Sequence, residues 1–158
     1  MMDVAFRDMT RPDVPRVAEL EKICFRTPWT ESALCDELRN RLARYQVAEQ
    51  QGDIIAYAGM WVFLGEAHIT NVAVAPEYRR QGVGRAIMLH MMRTALKNKA
   101  NAMTLEVRET NIAAQTLYFS LGFEKAGARK GYYSDTGEAA WILWNTDIAA
   151  TIDMQLSK

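Results

Sequence analysis

The stretch Asn71-Val72-Ala73-Val74-Ala75-Pro76-Glu77-Tyr78-Arg79-Arg80-Gln81-Gly82-Val83-Gly84-Arg85 restricts the fold more than any other part of the chain. An apolar run stops at a proline and a basic loop with two glycines follows. An amphipathic pattern then begins, with Ile87, Met88, Met91, Ala95 and Leu96 apolar. That order predicts strand, loop and helix. A further strand at Met103 to Arg108 must then lie parallel to the first, which makes the fold α/β. The loop also carries a chemical consequence. A helix start bears partial positive charge and bare backbone N–H groups, so it favours a phosphate. Gly82 and Gly84 permit close approach, and Arg79, Arg80 and Arg85 add positive charge around the same spot.

The remaining segments fill in a sheet. Val4 to Arg7 reads as a short strand. Thr10 caps a helix with Pro12 in its first turn and Val17, Leu20, Ile23 and Cys24 at helical spacing. Thr30 caps a second helix, with Leu34, Cys35 and Leu38 on one face. Tyr45 to Glu49, Ile54 to Leu64 and Ala67 to Val74 read as an antiparallel meander, turning at Gln50-Gln51-Gly52-Asp53 and at Gly65-Glu66. In the third of these strands Ile69, Val72 and Val74 slip once from alternation. The slip permits a β-bulge near Thr70 or Asn71 and places Val72 and Val74 in the core. Gly84 to Ala100 is a long helix, and Asn111 to Leu121 another, closed by Gly122. Phe123 to Lys130 and Ala139 to Thr146 form a last strand pair. The expected product is a mixed, mostly antiparallel central sheet flanked by helices on both faces. It forms a single domain over residues 1–148, with a loosely held tail over 149–158.

Composition excludes several classes. A chain of 158 residues, 49% of them hydrophobic, can bury one sizeable core. Lys+Arg and Asp+Glu balance at 19 each, which argues against a general nucleic-acid binder. No apolar run approaches the length of about 18 residues that a membrane span needs. Asp3, Arg7, Asp8 and Arg11 break up the N-terminus, so it does not read as a signal peptide. Cys24 and Cys35 lack metal-site spacing and are expected as reduced, buried thiols in a cytoplasmic protein, with no metal. His68 and His90 stand apart in sequence and are expected to be structural.

The phosphate loop has no Lys followed by Ser or Thr, as a P-loop requires, and Ile87 stands where a dinucleotide fingerprint wants a third glycine. Arg79 to Gly84 instead reads Arg-x-x-Gly-x-Gly, which resembles the acetyl-CoA loop of the GNAT N-acetyltransferases. Leu105-Glu106-Val107-Arg108, Asn111-x-x-Ala114, Leu117-Tyr118 and Leu121-Gly122-Phe123 match the second half of that pattern. Phe25-Arg26-Thr27-Pro28-Trp29-Thr30 and Arg129-Lys130-Gly131-Tyr132-Tyr133 make the chain similar to the RimI branch, the ribosomal-protein-alanine N-acetyltransferases. One departure is that Glu138 is followed by Ala139, where the family often has an acidic pair. The resemblance implies a GNAT fold and acetyl-CoA as co-substrate. The acceptor it implies is the N-terminal amine of a small-subunit ribosomal protein that begins with alanine. It implies CoA contacts from Val72, Ala73, Val74, Arg79, Arg80, Gln81, Gly82, Val83, Gly84, Arg85 and Asn111. Glu106 would be the base, Tyr118 the acid, and Trp29, Tyr132 and Tyr133 would line the peptide cleft. No metal, membrane or direct nucleic-acid partner is implied.

The chemistry is consistent with those residue types. An α-amine of pKa about 8 is roughly one-tenth neutral at pH 7, whereas a lysine amine is neutral at only about four parts in ten thousand. An N-terminal acceptor therefore needs only a modest base. Alternation puts Glu106 on the strand face opposite Met103, Leu105 and Val107. There it either serves a cleft or forms a salt bridge, with Arg108 as one partner. Tyr118 and Asn111 have plain structural readings too, as a core tyrosine and a helix cap. Two other functions share the CoA half of the pattern: acetylation of a small amine such as a polyamine or aminoglycoside, and CoA sensing without turnover.

Overall fold

The computed structural model describes residues 3–157. In chain order the elements are β1 (Ala5–Asp8), α1 (Val14–Cys24), α2 (Glu31–Leu38), β2 (Ala43–Gln50), β3 (Asp53–Phe63), β4 (Glu66–Val74), α3 (Val83–Lys97), β5 (Ala102–Arg108), α4 (Ile112–Ser120), β6 (Glu124–Arg129), β7 (Ala140–Asn145) and α5 (Ile148–Leu156). The strands form one sheet in the order β1-β2-β3-β4-β5-β7-β6. The β1–β2, β2–β3, β5–β7 and β6–β7 pairs are antiparallel, whereas β4 and β5 are parallel, with Glu66–His68 opposite Ala102–Thr104. Two hairpins are closed by Gln51-Gly52 and Leu64-Gly65, with positive φ at both central residues (52° and 85°; 50° and 81°). Such turns match the twist of the strands they join.

The chain clusters into two compact units: residues up to Trp61 with Thr70–Met91, and Val62–Ile69 with everything from Met92 onward. In the first, Val17, Leu20, Leu34, Val47 and Tyr57 are fully buried. Thr10 leads not directly into α1 but into a short 3-10 turn, Arg11–Asp13, and Asp13 stands at the N-cap of α1. The Asp13 carboxylate accepts from the Thr10 N–H (2.7 Å) and Oγ1 (2.9 Å) and pairs with Arg7. The Arg7 contact holds the Asp13 pKa down at about 2. Thr30 caps α2 by accepting from the Ala33 N–H at 3.1 Å. Cys24 and Cys35 are free thiols, but half-buried rather than buried.

In β4 the fully buried side chains are Ala67, Ile69 and Ala73, while Val72 and Val74 are only half-buried. The expectation that the valines serve the core is therefore corrected: the inward position belongs to a small residue, which hydrophobicity alone could not select. Register shifts lie between Ala48 and Glu49 in the β2–β3 pair and between Lys125 and Gly127 in the β6–β7 pair.

In the second unit, Met103, Leu121, Phe123, Leu143 and Ile148 are buried. The stretch expected to trail loosely, 149–158, falls largely within α5, with Thr151 and Ile152 buried, and its last residue lies outside the described residues. Asp147 caps it, the Ile148 N–H reaches the Asn101 carbonyl, and Asn145 Nδ2 bridges Thr151 Oγ1 and the Leu121 carbonyl. No described helix is long and apolar enough to cross a membrane.

Candidate active site

The basic loop belongs to the first unit. After β4 the chain makes a single 3-10 turn at Pro76–Tyr78 and enters α3 at Val83, where the Gly82 carbonyl accepts the Ala86 N–H at 3.0 Å. Arg80 (φ 61°) and Gly82 (φ 82°) both adopt left-handed backbone. Such turns direct successive N–H groups to one side, the arrangement that cradles an anion. A Cβ at Gly82 would meet nothing within 4 Å, so the space against it is open. Val83 is buried and can contribute only through its backbone. Arg79 is tethered: its Nε donates to the Val74 carbonyl at 3.1 Å and its Nη2 to Cys24 Sγ at 3.3 Å. It fastens the loop to the strand end, and burial pushes the Cys24 thiol pKa up against the pull of that guanidinium. The residues of the loop fit a diphosphate by backbone geometry and local charge.

Glu106 and Tyr118 belong to the second unit. Strand alternation places Met103, Leu105 and Val107 inward, so Glu106 faces the other way, as the pattern suggests. Its partner is His68 on β4, not Arg108: His68 Nε2 lies 2.7 Å from Glu106 Oε2. The Glu106 side chain is 15% exposed and that of His68 is 39% exposed. The hydrogen bond to Glu106 raises the His68 pKa above its ordinary value, against burial and the field of Arg129. Tyr118 packs its ring edge against Phe123, with centroids 5.8 Å apart. Its hydroxyl makes no hydrogen bond among the described residues. Burial, then the neighbouring Tyr133, pushes its pKa up to about 12. The arrangement offers a fixed carboxylate and a phenol with an unspent proton, which suits proton acceptance by one and donation by the other.

Arg108 has a different task from the salt bridge considered above. It pairs with Asp135 (2.9 Å) and Glu138 (3.0 Å), and its guanidinium lies 3.9 Å from the centre of the Tyr133 ring. Glu138 also accepts from Thr110, the main cause of its lowered pKa. Together these contacts clamp the β6–β7 connection to the end of β5. Tyr132 and Tyr133 meet edge to face at 5.0 Å, and both feel the charge of Glu106. Burial is the larger influence on each, and it brings Tyr133 to about 12. Asn111 caps α4, its Oδ1 accepting from the Ala114 N–H at 3.2 Å.

Trp29 lies in the first unit and packs against Tyr45 at 6.2 Å. Its backbone N–H donates to Glu21, a fully buried carboxylate that also accepts from Tyr57 and from Asn71 Nδ2. Sequence reasoning missed this acceptor, took His68 as structural and offered Arg108 only as a partner of Glu106. A glutamate on the apolar face of α1 was its one visible sign. Among the described residues no group of three or more His, Cys, Asp or Glu could hold a metal ion.

Comparison with known proteins adds to this geometry. The sequence profile described as "Acetyltransferase (GNAT) family" matches residues 14–123. A ribosomal protein bS18-alanine N-acetyltransferase of Escherichia coli K12 is 38% identical over 124 residues, 78% of this chain and 83% of that protein. The N-alpha-acetyltransferase RimI of Mycobacterium tuberculosis is 34% identical over 142 residues, covering 85% and 87%. The crystal structure of the ribosomal-protein-S18-alanine N-acetyltransferase from Escherichia coli superposes with a TM-score of 0.83 at 33% identity, over 90% of this chain and 92% of that one.

Proposed function

From the premise that this chain belongs to the GNAT acetyltransferase family and is an acetyl-CoA-dependent N-acetyltransferase, we propose that its acceptor is the N-terminal α-amine of a ribosomal protein beginning with alanine. The observation that carries the reading is Glu106, a mostly buried carboxylate with Oε2 held by His68 and Oε1 unbonded among the described residues. Acetyl-CoA supplies the acyl group as a thioester. The backbone of Arg80 to Arg85 holds the diphosphate, Arg79 keeps that loop in place, and Asn111 contributes from the α4 cap. Val72, Ala73 and Val74 would hold the pantetheine arm through their backbone, as a strand edge holds an added strand. Glu106 accepts the proton of the attacking amine, directly or through water. Tyr118 gives its proton to the departing sulfur. Tyr132 and Tyr133 border the acceptor near Glu106, and Trp29, packed on Tyr45, is offered as a further peptide contact. Transfer is direct, with no acyl-enzyme, and the reaction is placed in the cytoplasm, where ribosomal proteins are made.

A small polyamine acceptor would need free acids. Glu138 is paired with Arg108, which weighs against that reading. The test is CoA release with two alanine-initiated peptides, each carrying an internal lysine, one with a free N-terminus and one blocked. Turnover of the free peptide alone is expected. Equal turnover of both would replace the reading with lysine acetylation. Silence on both would favour a small amine or CoA sensing.

A further inference from the structure

Glu106 is gripped by a titratable side chain that none of the sequence motifs includes. His68 lies opposite Thr104 in the parallel β4–β5 register, and Glu106 follows Thr104 by two residues on the same face of β5. The ring therefore reaches along that face to a carboxylate on the neighbouring strand. At 2.7 Å the contact is a full hydrogen bond. A carboxylate can only accept, so Nε2 carries the hydrogen. Both strands are paired in the sheet, so neither end of the contact rests on a loop. Glu106 Oε1 has no such partner among the described residues.

We propose that His68 is a positioning residue for Glu106: its Nε2–H fixes one carboxylate oxygen so that the other faces the substrate amine, and protonation of the ring withdraws Glu106 from service as a base. The inference rests on Glu106 being the base. Neutral and charged imidazole both donate from Nε2, so the geometry survives titration. What changes is charge. An adjacent imidazolium lowers the proton affinity of the carboxylate by direct Coulomb attraction. The groups around the pair are Glu106 from β5, which favours the charged ring, and Arg129 from β6, which opposes it. The Tyr132 and Tyr133 hydroxyls of the β6–β7 connection feel Glu106. The net upward displacement of the His68 pKa brings its titration toward the range where the acceptor amine also loses its proton. The acid limb of the rate profile then contains two ionisations.

The experiment compares wild type, H68A, H68Q and E106Q with an alanine-initiated peptide from about pH 6 to 9, and follows the imidazole C–H signals by NMR. With only two histidines in the chain, assignment is direct. H68A is expected to lower kcat by roughly tenfold to a hundredfold, as loss of a hydrogen bond to a charged group does, with the KM for acetyl-CoA unchanged. H68Q restores an uncharged N–H donor, so it should recover most of kcat and lose one ionisation from the acid limb. In E106Q the His68 titration should fall toward its ordinary value, a readout that needs no turnover. Wild-type rates and pH profiles in both His68 variants, beside a slow E106Q, would overturn the inference and leave Glu106 as base. E106Q at the wild-type rate would overturn both. A His68 titration unmoved in E106Q, or an H68Q as slow as H68A, would also overturn it. Should H68A fail to fold, H68Q and the NMR titration carry the test alone.

Discussion

Tyr118 and Glu21 show how differently two polar side chains within helices are used. The Tyr118 hydroxyl bonds to nothing among the described residues, so the fold gains little from it. Tyr118→Phe is therefore expected to leave the melting temperature unchanged or slightly raised while kcat falls by roughly a hundredfold, the scale of a lost general acid. Equal losses of stability and rate would mark the tyrosine as structural. Glu21 is the opposite case. Its carboxylate satisfies the Trp29 N–H, the Tyr57 hydroxyl and the Asn71 amide. Glu21→Ala leaves all three without an acceptor and should cost about 3 kcal/mol or more in denaturant unfolding. Neither role can be read from residue type. A tyrosine beside leucines on a helix looks like core packing, and a glutamate in a helix looks like surface, until neighbouring elements supply or withhold a partner.

At the scale of elements, the site depends on junctions. Gly122 ends α4 at φ 86°, and a Cβ there would come within 2.8 Å of Thr151 Oγ1 and 2.9 Å of Asn145 Nδ2. Gly122→Ala should cost about 1–3 kcal/mol through the left-handed backbone and the clash. It should also release α5, seen as early proteolysis within Ile148–Leu156. Gly82 has the same kind of backbone (φ 82°) but open space where a Cβ would stand. Gly82→Ala should be mild in stability, about 1 kcal/mol, and marked in acetyl-CoA affinity by calorimetry, because the added carbon enters the phosphate space. Arg108 joins the end of β5 to Asp135, Glu138 and the Tyr133 ring. Arg108→Ala is expected to raise the peptide KM several-fold with little change in the KM for acetyl-CoA; kinetics with each substrate varied in turn will separate the two. The glycine stop after α4 and the caps at Thr30 and Asn111 were legible because they are local. The Arg108 clamp was not, since its acids come from a connection whose path no nearby residue dictates.

For the whole molecule, two groups set opposite ends of the pH response. His68 has a raised pKa in the fold, so its stabilisation is complete below the unfolded value of about 6.5 and is lost as pH rises through the folded one. Asp13 has a lowered pKa, so its contribution is present above the unfolded 3.8 and is lost as pH falls through about 2. Thermal melts should therefore show the gap between wild type and H68Q larger at about pH 5 than at about pH 9. A gap that grows with pH would contradict the His68–Glu106 pairing. The gap between wild type and D13N should close only under strong acid.

The sequence by itself determined the α/β class, the order of strands and helices as far as β7, the helix-start loop at Arg79 to Gly84, and the outward face of Glu106. Each of these is set by periodicity, capping or glycine, which act over a few residues. Tertiary structure decided what Glu106 faces. His68 reaches it only because β4 and β5 align Ala67 with Met103 and His68 with Thr104. A helix and two connections separate those strands in the chain, so no local pattern encodes their offset. Tertiary structure also made Ala73, not the valines beside it, the inward residue of β4, and gave Ile148–Leu156 an apolar surface to dock on. Register, burial and docking are decided by partners distant in sequence, and they turn an outward glutamate into a carboxylate held beside an imidazole.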